Sequence, residues 1–422
     1  MPENVNEKNI PPEYSGTLQI SVVSSLGQIP VEGATVTISY TGDPESPIET
    51  LTTDSSGQTP TITLPAPPLA LSLTPEPEVQ PYAEYNIVVT APGYEPVSVS
   101  GSEMFAGELS LQPIVMNPME ISEQPEKIVI IPAHTLFGIY PPKIPEDEIK
   151  PMKDTGEIVL SRVVVPEYVI VHDGDPSDPS ASDYWVRYKD YIKNVASCEI
   201  YSTWPEAAIY ANVLAIMSFT LNRVYTEWYR NQGYPFTITS STAYDQKWIY
   251  GRNIFENIDY LVDTIFANYL ARPGVRQPIF TSYCDGNRVT CDGLSQWGSK
   301  YLADEGYSAI EIIRYYYGND MYIATADVIS GVPSSYPGYD LSIGASGDKV
   351  RQLQIQLNRI ARNYPAIPTL TPDGIYGPAT AESVRTFQRI FNLPPTGVTD
   401  YATWYEISDI YVGVTRIAEP GR

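Results

Sequence analysis

Residues 193–225 read KNVASCEIYSTWPEAAIYANVLAIMSFTLNRVY. From Pro205 to about Tyr225 this stretch is apolar on nearly every side, the pattern of a helix buried inside a domain. Thr203 and Glu206 have capping-box spacing, and Pro205 falls in the first turn, where its missing N–H costs nothing. The apolar run falls short of the roughly 18 residues a membrane span needs, and it carries Asn212, Ser218 and Thr220, so a core helix is expected. Just before it, in an otherwise uncharged turn, sits Glu199, flanked by Cys198, Ile200, Tyr201 and Trp204. A carboxyl held against aromatic and aliphatic surface has a raised pKa, because burial disfavours its charged form. That is how a general acid stays protonated near neutral pH.

Working outward, the region after the helix gives FTITSST (236–242) as a strand and AYDQKWIYG (243–251) as a loop. Ile254, Ile258, Leu261, Ile265 and Leu270 have helical spacing. IFTSYC (279–284) reads as a strand. Ser295 stands near the start of a helix that Gly306 stops, and Ser308 with Glu311 makes a second capping box. Before the central stretch, GEIVLSRVVV (156–165) and EYVIVHDG (167–174) read as strands leading into a helix.

The run from Tyr191 through Glu199 to Trp204-Pro205 and Leu221 resembles the signature of the stage II sporulation protein D family, the SpoIID/LytB domain. AYDQKWIYG resembles that family's middle motif. DGLSQWG (292–298) followed by YSAIEIIRYYYG (307–318) resembles its closing motif. The resemblance spans roughly 156–330 and implies an α+β domain that cuts peptidoglycan glycan strands as a lytic transglycosylase, with Glu199 as acid/base. It also implies that Gln246, Ser295, Gln296, Tyr201 and Trp204 line the substrate cleft, and it points to a forming spore or cell wall of a Gram-positive bacterium. Two departures bear on activity rather than fold. Thr290 and Cys291 stand where the family often has a His, and the Arg usual in the Ala-rich helix is replaced near Met217. A non-catalytic wall-binding scaffold, or a surface or spore structural protein, is therefore the rival reading.

Composition bounds the partners. A 422-residue chain leads us to expect about two to four domains. A net charge of −24 argues against nucleic acid, whose binding rests on cationic contacts to phosphate. The 33 tyrosines suit stacking and hydrogen bonding to sugars, although tyrosine is also ordinary strand material. The N-terminus shows no basic start followed by an apolar core, so no signal peptide is visible and the export route is open. No membrane span and no cofactor are expected.

Residues 1–15 read as a flexible tail. From 16 to 116 short alternating strands follow one another: TLQISVV (17–23), ATVTISY (34–40), TPTITLP (59–65), YNIVVTAPGY (85–94) and ELSLQPIVM (108–116). They predict an all-β sandwich. PVEGATVTI, TTDSSG and APGY resemble carboxypeptidase-regulatory-like or transthyretin-like modules, which implies a spacer or adhesive role. Residues 117–155 are a Pro-rich linker whose apolar pieces should pack on their neighbours.

A composition change near Gly338 marks a linker at 331–340 and a further domain at 341–410, with a tail at 411–422. Val350, Leu353, Leu357 and Ile360 share one helical face; Val384, Phe387 and Phe391 another; Tyr401, Trp404 and Ile407 a third. DGIYGPAT (373–380) with VRTFQ (384–388) resembles the small three-helix peptidoglycan-binding domain appended to many wall hydrolases. The resemblance implies a shallow groove with Asp373, Tyr376 and Gly377 as candidate contacts, although Tyr376 and Trp404 also suit a core. Cys284 and Cys291 flank a turn and can pair as a disulfide or remain thiols. With Cys198 they are weak zinc candidates, because His134 and His172 lie far off in sequence.

Overall fold

The computed structural model describes residues 11–119, 127–150 and 162–415. Residues 1–10 and 416–422 of the expected tails, and 156–161 of the strand expected at 156–165, lie outside the described residues. Ser15, expected in the tail, is the first residue of β1.

Eight strands form the N-terminal unit: β1 (Ser15–Ser24), β2 (Thr35–Tyr40), β3 (Asp43–Thr52), β4 (Ile62–Pro65), β5 (Ala83–Thr90), β6 (Val97–Met104), β7 (Leu109–Met116) and β8 (Lys127–Ile130). One sheet contains β7-β1-β4 and the other runs β3-β2-β5-β6-β8. Alternation does the work: Leu18, Ile20 and Val22 of β1 and Ile87 and Val89 of β5 are fully buried, and the residues between them face outward. β8 comes from the linker, where Val129, Ile131 and Leu136 are buried while Ile128, Ile130 and Ile139 stay exposed.

The central unit contains β9 (Val164–Val165), β10 (Tyr168–His172), β11 (Asp183–Arg187), α1 (Tyr188–Glu199), α2 (Glu206–Tyr225), β12 (Ile238–Thr239), β13 (Ile254–Phe255), α3 (Glu256–Ile265), β14 (Asn268–Ala271), β15 (Tyr283–Cys284), β16 (Leu294–Ser295), α4 (Gln296–Asp304), α5 (Ala309–Tyr317), β17 (Tyr322–Thr325) and β18 (Val328–Ile329). β10 sits between β11 and β12 in a three-stranded sheet. α2 is the buried axis, packed by α1, α4, α5 and β14. At twenty residues it is long and apolar enough to cross a membrane, so the length expectation is corrected; 83% of its most apolar window is buried inside the protein. Most of its buried polar side chains find partners there, although Asn222 Oδ1 has none. Asn212 donates to Ala208 O and Ser299 Oγ, Ser218 to Ile279 O, Asn222 to Pro278 O, and Arg223 pairs with Asp245 at 2.7 Å.

Local signals are corrected in three places. Pro205 is the N-cap of α2, and Thr203 donates to Ser72 Oγ at 2.8 Å instead of closing a capping box. The helical spacing from Ile254 to Leu270 yields a helix only over α3, because Ile254 and Leu270 pair in strands β13 and β14. The strands read at 236–242 and 279–284 shrink to β12 and β15. The Ser308–Glu311 box does form at α5.

The sandwich is no free-standing spacer. β13 adds to the edge of β7, which covers an otherwise open strand. Beneath that edge Glu103 and Arg252 form an ion pair at 2.6 Å with both side chains essentially inaccessible. Asn253 bonds both the N–H and the carbonyl of Glu103, and Gln112 donates to Gly251 O at 2.9 Å. Cys198 and Ile249 complete the sandwich core, and Tyr82 and Phe105 complete the central one.

The C-terminal unit holds α6 (Asp348–Ile360), α7 (Pro378–Ile390) and α8 (Tyr401–Thr415). Val350, Leu353, Leu357, Ile360, Val384, Phe387, Trp404 and Ile407 are buried as their spacing predicts. Phe391 and Tyr401 are partly buried. α8 continues to Thr415, past the start of the expected tail.

Candidate functional site

Glu199 is the last residue of α1 rather than part of a turn, and its side chain is 4% exposed. Oε1 accepts the Lys247 N–H at 2.6 Å, and Oε2 has no partner. The Tyr283 phenol lies beside the carboxyl without completing a hydrogen bond of good geometry. Burial pushes the carboxyl above its ordinary range; the Lys143 ammonium, Tyr283 and the Lys247 N–H pull it back. A carboxylate in the last helical turn also faces the negative end of the helix dipole, which favours its protonated form.

The carboxyl opens on a cleft of about 260 Å³ whose lining includes Tyr140, Lys143, Tyr283, Arg288 and Gln296. One wall is the linker. The other is the loop closed by the Cys284–Cys291 disulfide. Gly286 turns that loop with φ +76°, and any side chain on it would strike Ser295. From the same loop Arg288 donates to the carbonyls of Thr135, Phe137 and Gly138, tying one wall to the other. The pairing of Cys284 with Cys291 ends the zinc alternative. Cys198 is a buried thiol pushed up to about 12 by its surroundings, and His134 and His172 sit in separate packing environments. Among the described residues no group of three or more His, Cys, Asp or Glu is placed to hold a metal.

Of the residues expected beside Glu199, Gln296 reaches the cleft. Its Nε2 donates to the Glu199 carbonyl at 2.9 Å and fastens the start of α4 to the end of α1. Gln246 is fully buried behind the site. Its Oε1 accepts from Tyr191 and Thr220, and its Nε2 donates to Ile216 O, so it clamps the two helices. Ser295 caps α4, accepting from Gly298 N. Tyr201 packs between Phe105, His134 and the Trp204–Trp297 pair, and Trp204 donates to Ser72 O. These four are framework rather than lining, because their polar atoms face the interior. Sequence reasoning missed Lys143, Tyr283 and Arg288. The proline frame of PPKIP (141–145) was the one available signal for Lys143, since a lysine fixed between prolines is held in place.

In the C-terminal unit, Asp373 is exposed and accepts from Ile375 N and Gln354 Nε2, both at 2.9 Å, which holds its carboxyl below the ordinary range. Gly377 caps α7. Tyr376 is fully buried and its hydroxyl donates to Gly397 O, so it belongs to the core and is removed from the contact set. Ile375, between Asp373 and Tyr376, is 58% exposed.

Residues 346–407 match the family described as "Putative peptidoglycan binding domain". Over 68 residues, 16% of this chain, the sequence is 44% identical to the zinc D-Ala-D-Ala carboxypeptidase of Streptomyces albus G. The match spans a quarter of that relative's own length. The three helices α6–α8 with their turn at Asp373–Gly377 are therefore a peptidoglycan-binding domain.

Proposed function

We propose that the chain is a wall-bound lytic transglycosylase of the SpoIID/LytB type, acting on peptidoglycan in the cell wall or forming spore. The observation that carries this reading is Glu199: a buried carboxyl of raised pKa, with one oxygen fixed and the other unpartnered, at an open cleft. In its protonated form Glu199 gives its proton to the glycosidic oxygen as the bond to the muramic C1 breaks. The resulting carboxylate then takes the proton of the muramic C6 hydroxyl, whose oxygen closes on C1 to form the anhydro ring. One carboxyl suffices because the substrate supplies its own nucleophile, whereas ordinary glycosidases need a second acid. The peptidoglycan-binding domain supports a place at the wall and would hold the enzyme on its substrate.

Digestion of purified sacculi tests it. The wild type should release anhydro-muropeptides, and Glu199→Gln should release none while still sedimenting with sacculi. Sedimentation without any released fragment from the wild type would overturn the enzyme. The second reading, a wall-binding scaffold, is favoured by the small size of the cleft and by the linker wall that narrows it.

A further inference from the structure

The linker presents Pro141-Pro142-Lys143-Ile144-Pro145 to the cleft. Prolines restrict both themselves and the residues before them to extended backbone, so the strap is stiff before it docks. It is then fixed from three sides. Ile144 N donates to Ala243 O at 2.7 Å, Arg288 holds the carbonyls of Thr135, Phe137 and Gly138, and Lys143 Nζ donates to Asp245 O. The ammonium lies 4.7 Å and 4.8 Å from the ring centres of Phe219 and Tyr283. Tyr283 in turn lies against the Glu199 carboxyl, and Lys143 and Glu199 line the same cleft.

We infer that Lys143 is a positioning residue for Glu199: the linker delivers one fixed cation whose task is to stabilise the carboxylate left when Glu199 gives up its proton. Its role in turnover rests on the transglycosylase reading; its hold on the carboxyl does not. A single carboxyl that must first release and then recover a proton cannot be tuned by burial alone, since burial makes it keep the proton. A fixed neighbouring ammonium lowers the cost of the charged form at the moment it appears. The other charged and titratable groups around the carboxyl are Lys247 on the loop after β12, Tyr283 on β15, and Cys198 and Tyr191 on α1. Asp285 and Arg288 stand farther along the cleft and pair with each other. Lys143 and Lys247 are the cations beside the carboxyl, and Lys143 is the one that lines the same cleft. Burial lowers the Lys143 ammonium in turn, and Glu199 and Asp245 hold it up.

The test titrates the Glu199 carboxyl by carbon NMR in the full chain, its resonance assigned by loss in Glu199→Gln. Lys143→Met should raise the midpoint measurably, since a nearby opposite charge favours the ionised form. Lys143→Arg should restore most of the wild-type midpoint. If the Met variant fails to fold, Lys143→Gln keeps a donor for Asp245 O without the charge and should show the same rise. A midpoint unchanged in the neutral variants overturns the inference. In sacculus digestion the alkaline limb of activity should move up with the carboxyl. If the carboxyl shifts and no variant, nor the wild type, forms anhydro product, the lysine's role stands and the transglycosylase reading falls.

Discussion

Arg252→Met tests how the sandwich and the central unit are joined. Glu103 on β6 and Arg252 after the 243–251 loop face each other with no access to solvent. Burial pushes Glu103 up to about 7 from 4.5, against the opposing pull of Arg252. The sign follows directly. The folded state holds this proton more tightly than the unfolded chain, so the stabilisation from this group is full below about pH 4.5 and is lost as pH rises through about 7. Two and a half pH units at about 1.4 kcal/mol each put that loss at about 3–4 kcal/mol in the wild type.

Removing the guanidinium deletes two hydrogen bonds and the cation paired with Glu103, which on its own costs about 3–5 kcal/mol. Glu103 then stays protonated above pH 7, where the wild-type group has ionised. The deficit of the variant should therefore widen by about 1.4 kcal/mol for each further pH unit. Urea unfolding at a series of pH values measures both quantities. Adding Glu103→Gln to Arg252→Met should abolish the widening of the deficit with pH, because Glu103 no longer titrates. A deficit below about 1 kcal/mol, flat with pH, would mean that water reaches the pair, and the rigid junction described above would be wrong.

Three further outcomes follow from the same packing. On α8, Glu406 is pushed up to about 7 and, on α3, Asp259 to about 6, both by burial beside Lys189 and Lys193. Raised carboxyls favour docking at low pH, while lowered Asp263 and raised Lys189 contribute throughout this range. Proteolysis at 331–340 should therefore quicken between about pH 5 and pH 8, and Glu406→Gln should remove most of that change. Gln246→Leu should cost about 1–3 kcal/mol in thermal unfolding, since it strands the buried Tyr191 hydroxyl, while Thr220 keeps its bond to the Ile216 carbonyl; an undiminished melting temperature would return Gln246 to the cleft. Replacing Cys284 and Cys291 by serine should lower stability by about 2–3 kcal/mol and speed amide exchange in 133–143, because the loop carrying Arg288 loses its closure.

The elements that the sequence made legible are those whose side chains sort themselves locally. The α2 run, the buried faces of α6 and α7, the alternation in β1 and the Ser308–Glu311 box all depend on neighbours a few residues away. What could not be read depends on partners far along the chain. Ile254 and Leu270 have helical spacing, yet sheet pairing with Leu111 and Ile323 takes them. Gln246 and Ser295 are polar residues in loop-like contexts, which suit a sugar as well as they suit a helix end. Only the approach of Tyr191 and Thr220 in one case, and Gly298 in the other, shows their polar atoms to be spoken for.

The same distinction explains why Glu199 can sit in a greasy corner and still face a cleft. Its own helix supplies burial, and the Lys247 backbone fixes one oxygen. The opening, however, is bounded by the linker at 138–143 and the disulfide loop at 284–291, neither of which adjoins it in sequence. The linker reaches that place because its preceding piece is β8, paired in register with β6, and β6 carries the Glu103 that Arg252 holds. Sandwich, linker and Glu199 are thus links of one mechanical chain. A spacer that could swing would leave Lys143 without an address, so the rigid sandwich is a condition for the cleft. An insertion of a few glycines between Ile130 and Ala133 should accordingly raise the midpoint of the Glu199 carboxyl as neutralising Lys143 does, while sacculus binding through α6–α8 is unchanged. If the midpoint is unmoved by the insertion, the linker finds its place without the sandwich, and the coupling between them fails.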